Sequence, residues 1–263
     1  MSTRLQTAID DRVAEVVLNR PEKHNAVDLA MFDELGELGA SLGSDRSVRA
    51  VVLRGSGANF CAGIDLDIFG SSDAAIGAKD LAPLAGTPAN RFQRAAYVWR
   101  ELPVPVVCAI EGVAYGAGLQ IALGADLRYG TPDAKLSVME VRWGLIPDLA
   151  ITVTASNLVR EDRLRELAYT GRVVSGREAF EIGLLTGVHD DPVAAARKTA
   201  RHIAAKSPDA IRAMKKMFNA CRNLDESQSL ALEAALQGEV LTGANQREAV
   251  AANMAGREPE FED

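Results

Sequence analysis

Two glycines stand at the head of an apolar run in the segment YGAGLQIALGAD, residues 115–126. Gly116 and Gly118 allow a sharp turn into a helix and leave the backbone N–H of Ala117 with little steric cover. The first N–H groups of a helix have no partner within it, and the helix dipole adds partial positive charge there. The segment therefore predicts either an ordinary tight turn or one half of an oxyanion hole.

An oxyanion hole needs a second donor, which the segment FCAGID, residues 60–65, can supply through the N–H of Ile64. Two such donors each stabilise a transition state by roughly 3–4 kcal/mol. A dinucleotide fingerprint would instead need a third glycine at position 121, where Ile121 stands. The amide of Gln120, inside the apolar run, can orient a water or a substrate group but cannot act as a general base.

The composition of the 263 residues is that of a globular protein, with 48% hydrophobic and 25% charged residues. The net charge of −7 argues against nucleic acid or an anionic membrane as a partner. No run reaches the ~18 apolar residues of a membrane helix, and the opening residues do not resemble a signal peptide. We therefore expect a cytoplasmic protein.

We expect neither a metal site nor a Ser-His-Asp catalytic triad. The three histidines, His24, His189 and His202, are scattered along the chain without the spacing of metal ligands. No G-x-S-x-G elbow is present, which argues against a Ser-His-Asp hydrolase.

The glycine-rich motifs follow predicted strands. Residues 48–55 form a valine-rich run that predicts a buried strand, and a similar run precedes residue 115. Helical patterns dominate after residue 149 and account for almost all of residues 207–256. We predict an α/β unit over residues 1–205 and a helical region over residues 206–263.

Successive motifs carry a resemblance to a known family: NRPEKHNAV, FCAGIDL, CAIEGVAYGAGLQIALGADLRY, LSVMEVRWGLIPD and GRVVSGREAFEIGLLTGVHD. In this order, over most of residues 13–190, the chain resembles the crotonase, or enoyl-CoA hydratase/isomerase, superfamily. The resemblance implies an α/β fold, a crotonase-like spiral of ββα repeats, with a C-terminal helical region for trimerisation. It also implies a homotrimer or a dimer of trimers, and an acyl-CoA thioester substrate without a separate cofactor.

By position, the resemblance places the thioester carbonyl between the N–H groups of Ile64 and Ala117. Most relatives have glycine at the second place, and Ala117 presents the same donor provided that its φ is negative. The neighbouring residues Ala62, Gly63 and Gly116 complete the substrate-binding set that the resemblance implies.

The reaction depends on the proton carriers around the resulting enolate. A hydratase of this family places two glutamates around a water; here Gln120 stands at the first position and Glu140 at the second. Asp148 stands eight residues after Glu140, where dienoyl-CoA isomerases of the superfamily carry an aspartate, although Asp148 could instead cap a helix beginning at Leu149. The pattern favours double-bond isomerisation by Glu140 and Asp148. The alternatives are hydration, with Gln120 positioning the water, and a non-catalytic acyl-CoA-binding protein.

The CoA moiety should require cations. The resemblance points to Arg20, Lys23 and the backbone near Ala26. Lys215 and Lys216 on the C-terminal helices are further candidates for contacts with phosphate, with a solvated helix face as the alternative. The acyl pocket is expected to involve residues 70–88 and three aromatic side chains: Tyr97, Trp99 and Trp143.

Overall fold

Nine strands and eleven helices make up the part of the chain that the computed structural model describes, residues 4–70, 77 and 79–263. The strands are β1 (Leu5–Asp10), β2 (Val13–Leu18), β3 (Ala50–Gly55), β4 (Val106–Ile110), β5 (Val113–Tyr115), β6 (Leu127–Gly130), β7 (Lys135–Ser137), β8 (Val174–Ser175) and β9 (Gly187–Val188). The helices are α1 (Leu29–Ser44), α2 (Asp67–Gly70), α3 (Arg91–Glu101), α4 (Ala117–Leu123), α5 (Ile151–Thr154), α6 (Glu161–Thr170), α7 (Gly176–Glu181), α8 (Pro192–Ala204), α9 (Pro208–Cys221), α10 (Glu226–Val240) and α11 (Ala244–Ala255).

The strands form two sheets, and successive turns of the chain visit both. The larger sheet has the order β1-β2-β3-β4-β6-β9, antiparallel between β1 and β2 and parallel elsewhere. The smaller has the order β5-β7-β8. After β3 the chain reaches the smaller sheet at Cys61, which bridges to Ala114; after β4 it forms β5, and after β6 it forms β7. This repetition is the expected spiral of ββα turns.

The larger sheet is covered on both faces, as its predominantly parallel strands require. Along β3, Val51 and Leu53 point into the main core, whereas Ala50 and Val52 point to a second cluster beneath α8. This alternation is the period of two that a strand imposes on its side chains. Helix α8 contributes three alanines to the second cluster, so it packs close to the sheet.

Side chains cap several of the helices at their first turn. Asp28 accepts a hydrogen bond from the N–H of Met31 and caps α1, and Ser207 caps α9 with Pro208 in the first turn. The expectation that Asp148 caps a helix from Leu149 is wrong. Helix α5 begins at Ile151, and its N-cap Ala150 has a left-handed backbone with φ of 63°, without a side-chain cap.

The C-terminal quarter of the chain is helical, as predicted, and consists of α9, α10 and α11. Within the residues described, no helix is long and apolar enough to cross a membrane. The division near residue 205 stays a prediction, as does the role of the C-terminal helices in trimer formation.

Candidate active site

The two glycine-rich segments are joined by backbone hydrogen bonds. The N–H of Cys61 donates to the carbonyl of Val113 (3.0 Å), and the N–H of Tyr115 donates to the carbonyl of Cys61 (3.0 Å). Residues 60–61 thus extend the smaller sheet beside β5. The segment that precedes α4 therefore lies directly against the segment that contains Ile64.

Glycine is required at the points where these segments meet. Gly63 and Gly116 have φ of 103° and 48°, values that residues with a side chain rarely adopt. A Cβ on Gly63 would lie 2.9 Å from the carbonyl oxygen of Tyr115, and one on Gly118 would lie 2.6 Å from that of Cys61. The glycines thus allow the two backbones to approach.

Ile64 and Ala117 both line the same cavity. Ile64 is fixed by its neighbours, since the N–H of Val27 donates to Gly63 (2.8 Å) and that of Asp65 donates to Val27 (2.9 Å). Ala117 begins α4 and has no positive φ, as the sequence argument required. Neither N–H donates to another group in the described part of the chain, so both are free for a ligand.

The cavity beside these donors has a volume of about 270 Å³ and a largely apolar wall. The sequence-predicted residues that line it are Ala62, Gly63, Ile64, Gly116, Ala117, Gln120, Glu140, Trp143 and Asp148. Of these, only Gln120, Glu140 and Asp148 have polar side chains. An apolar cavity with a few polar groups and unpaired N–H donors is the usual form of a small-molecule site.

Glu140 is the half-buried carboxylate of the cavity. It begins a short 3₁₀ turn, Glu140–Trp143, and its Oε1 accepts a hydrogen bond of 2.6 Å from Nε2 of Gln120. Its Oε2 is buried without a partner among the described residues. Burial raises the pKa of Glu140 and the charge of Asp148 raises it further, against the lowering effect of the Gln120 bond. A carboxyl group whose pKa is raised in this way is suited to take up and release a proton during a reaction.

Gln120 bridges the segments that carry the two carboxylates. It is 1% exposed; its Nε2 contacts Glu140, and its Oε1 accepts a hydrogen bond of 2.8 Å from the N–H of Leu149. Leu149 follows Asp148 directly. The amide therefore has a protein partner at each end and fixes the positions of Glu140 and the Asp148 segment relative to each other.

Asp148 lies at the solvent-accessible side of the cavity wall. The surrounding apolar groups partly bury its carboxyl, which raises its pKa above the ordinary aspartate value. Two carboxyl groups at different depths can hold different protonation states at one pH, as an acid and a base must.

The prediction that Arg20 supplies a cation for the CoA moiety is wrong. Its side chain is 8% exposed and donates to the carbonyl of Ala26 (2.5 Å) and to Oδ2 of Asp65 (2.9 Å). It therefore holds the Ile64 segment in place and has no free face for phosphate. Lys23 is half-exposed and pairs with Asp67 at 3.0 Å, so it can still exchange that partner for a ligand.

Lys215 was also expected to reach phosphate, and this expectation is wrong. Its Nζ is buried and donates to the carbonyls of Trp99 (2.9 Å) and Val104 (2.8 Å) and to Asp126 (2.7 Å). Burial lowers the pKa of Lys215, and the Asp126 charge opposes this effect. The lysine ties α9 to the core, whereas Lys216 is exposed.

We expect Lys215→Met to lower the free energy of unfolding by about 3 kcal/mol, because it leaves Asp126 and two carbonyls unpaired. Lys216→Met, on the exposed side of the same helix, should change it by less than about 0.5 kcal/mol. Urea unfolding of both variants measures the difference. A KM for acyl-CoA that rises in Lys215→Met while stability is unchanged would contradict the structural role.

Of the three aromatic residues predicted at the acyl pocket, one lines the cavity and two do not. Trp143 lines the cavity, but Trp99 is fully buried in the core and Tyr97 lies beside a different surface cavity. Sequence reasoning missed Phe32 and Phe92, which line the cavity and pack edge to face at 5.2 Å. Their apolar helical positions, on α1 and at the start of α3, were the available signal.

Of residues 70–88, expected at the acyl pocket, Leu81 lines the cavity. Residues 71–76 and 78 lie outside the described residues. The cavity wall also includes Leu145 and Ile146, which the sequence analysis did not single out.

Comparison with known proteins identifies the family of the chain. The model of the enoyl-CoA hydratase/isomerase family matches residues 8–263. The chain belongs to the enoyl-CoA hydratase/isomerase family. Its fold is the crotonase fold: an enoyl-CoA hydratase structure from Bacillus anthracis superposes with a TM-score of 0.88 at 27% identity, over 98% of each chain.

Relatives in this family include isomerases. The chain is 33% identical to 1,2-epoxyphenylacetyl-CoA isomerase of Escherichia coli, over 96% of each chain. It is 29% identical to the peroxisomal Δ(3,5)-Δ(2,4)-dienoyl-CoA isomerase of Arabidopsis thaliana, over 96% of this chain and 93% of that one. Membership of this family supports an enzyme of the hydratase/isomerase type.

Proposed function

We propose that this enzyme shifts a double bond in an enoyl-CoA or dienoyl-CoA ester by proton transfer. The observation that carries the proposal is the pairing of polar groups in one cavity. Glu140 and Asp148 both line the wall that holds the free N–H groups of Ile64 and Ala117, while the position of a second hydratase glutamate is filled by Gln120, bonded at both ends.

In the proposed reaction the thioester carbonyl oxygen accepts hydrogen bonds from Ile64 and Ala117. These hydrogen bonds stabilise the enolate. The enolate forms when a proton is removed from a carbon whose electrons can then delocalise onto the carbonyl oxygen. The Glu140 carboxylate takes that proton, since its Oε2 has no protein partner in the described residues. The double bond shifts as a proton is returned at a different carbon, by Glu140 or by a protonated Asp148. No atom is gained or lost overall.

Gln120 supports this reaction by holding Glu140 in place. Its amide does not titrate, so it offers one fixed hydrogen bond in place of a second proton carrier. Hydration needs a water activated by acid and base groups around it, and here the amide replaces one of the two carboxylates that hydratases use. The arrangement therefore supports isomerisation better than hydration.

The experiment is mass spectrometry of 2-enoyl-, 3-enoyl- and 3,5-dienoyl-CoA esters incubated with the protein in D₂O. Isomerisation predicts deuterium incorporation and a shifted double bond without added water. A product heavier by one water would overturn the isomerase proposal in favour of hydration. Binding without any change in the esters would support a non-catalytic acyl-CoA-binding protein.

The pH dependence of turnover provides a further prediction. Because the pKa of Glu140 is raised, kcat/KM should fall as the pH drops through a value above that of an ordinary glutamate. Gln120→Leu removes the hydrogen bond that lowers this pKa, so the acid limb should move to higher pH. The pH profile of kcat/KM for wild type and Gln120→Leu measures the shift, and a movement to lower pH would contradict the assignment.

Gln120→Glu tests whether a second carboxyl group at this position favours hydration. It places a second carboxyl beside Oε1 of Glu140, so that the pair is expected to share a proton. We expect hydration to rise relative to isomerisation, measured by product analysis of a 2-enoyl-CoA ester. If hydration does not rise, the cavity shape rather than the missing carboxylate limits that reaction.

A further inference from the structure

A second cavity, of about 120 Å³, lies at the C-terminal end of α4, between that helix, α5 and α9. It is separate from the substrate cavity, with which it shares no lining residue. Three arginines, Arg100, Arg128 and Arg222, line it together with a single acidic residue, Asp126. Phe218, which is 67% exposed, stands at its solvent side.

Arg128 is the buried arginine of this cavity. It is 2% exposed, and its Nε and Nη1 donate to the carbonyls of Leu184 (2.9 Å) and Ala125 (2.6 Å). Neither carbonyl carries a full charge, and Asp126, the acidic residue of the cavity, pairs with Lys215 and not with this guanidinium. Burial lowers the pKa of Arg128, although the negative charge of Asp126 raises it in part. Buried charges in proteins are normally paired, so this site has an unbalanced charge.

The contacts of the other two arginines, Arg100 and Arg222, do not supply the missing negative charge. Arg100 donates to the carbonyl of Asn219 (2.8 Å), and Arg222 donates to that of Val153 (3.0 Å). Asp126 is already engaged, because its Oδ2 accepts from Nζ of Lys215 and from the N–H of Val106, both at 2.7 Å. Three arginines therefore line the cavity, and its one carboxylate is already paired with Lys215.

We propose that this cavity binds a compact oxyanion of the phosphate type. Guanidinium groups donate paired hydrogen bonds that match phosphate oxygens, and such charge-assisted bonds are strong. A cavity of about 120 Å³ admits a single phosphate group but not a nucleotide. The bound group is either inorganic phosphate or the terminal phosphate of a molecule that remains outside. The proposal is independent of the reaction at Glu140.

The test is thermal unfolding of the full chain in sodium phosphate and in sodium chloride at equal ionic strength, which removes general screening as a cause. At phosphate concentrations about tenfold above Kd, Tm should rise by about 2–4 °C. Arg222→Gln should abolish the rise, since Arg222 is exposed enough to be replaced without disturbing the core. Arg160→Gln, a surface change at a side chain that is 78% exposed, should retain it.

Arg222→Glu provides a second test, because it introduces a carboxylate beside the two remaining arginines. Its Tm in chloride should exceed that of Arg222→Gln, and phosphate should no longer raise it. Thermal unfolding with desulfo-CoA is compared with thermal unfolding with desulfo-CoA that lacks the 3′-phosphate. This comparison distinguishes free inorganic phosphate from a phosphate group that belongs to a larger molecule. If phosphate leaves the wild-type Tm unchanged, or raises it equally in Arg222→Gln, the proposal is wrong.

Discussion

Glu140→Gln is expected to lower kcat by about 10²–10⁴-fold, the range typical of a lost general acid–base group. The substitution keeps the size of the side chain, and its oxygen can still accept the hydrogen bond from Gln120. Only the capacity to take a proton is lost. Steady-state kinetics with the ester identified in the D₂O experiment measures the effect.

Binding should survive this change, because the oxyanion donors are backbone N–H groups of other residues. We expect Kd for a saturated acyl-CoA ester, measured by calorimetry, to stay within a few-fold of wild type. Tm should be unchanged or higher, since the raised pKa of Glu140 means that its buried charge is unfavourable in the folded state. Glu181→Gln, at an exposed position, is the matched control and should leave kcat unchanged. Unaltered turnover in Glu140→Gln would exclude the assigned role.

Ala117→Pro is expected to lower kcat by about 10²–10³-fold, the usual cost of removing one oxyanion donor. Proline is tolerated at the first position of a helix, because the N–H at that position has no helical partner. In α4 the change therefore removes one of the two N–H groups that we assign to the substrate carbonyl, and no hydrogen bond of the helix itself.

Ala117→Gly is the control for this prediction. It keeps the N–H and should retain kcat within a few-fold, while circular dichroism and Tm of Ala117→Pro report whether the helix start is preserved. Equal turnover in the proline and glycine variants, with both folded, would show that this N–H does not contribute to the reaction.

The local sequence was sufficient for features that depend on a few consecutive residues. The helix caps at Asp28 and Ser207 belong to this class, because a cap needs only a side-chain oxygen near the next N–H groups. The two glycine-rich segments were identified in the same way, since a positive φ at Gly116 is a property of glycine itself. The order of motifs indicated the family and its spiral fold.

Long-range partners decided what local patterns could not. Arg20 and Lys215 have the composition of phosphate ligands, but Asp65 and Asp126, distant in sequence, pair with them and bury them. Asp148 has the residue type of a cap, yet the chain turns left-handed at Ala150 and the helix begins later. Trp99 is a core residue because α3 directs it inward, which only the packing of helices determines.

For this protein the sequence by itself determined the elements, the family and the position of the two glycine-rich segments that line the cavity, because these depend on local chemistry and on the order of motifs. The tertiary structure alone decided how the polar groups of the site are connected. Gln120 contacts Glu140, 20 residues away, and Leu149, 29 residues away, at hydrogen-bond distance. Such contacts arise where separate segments meet in the fold, and no spacing along the chain specifies them.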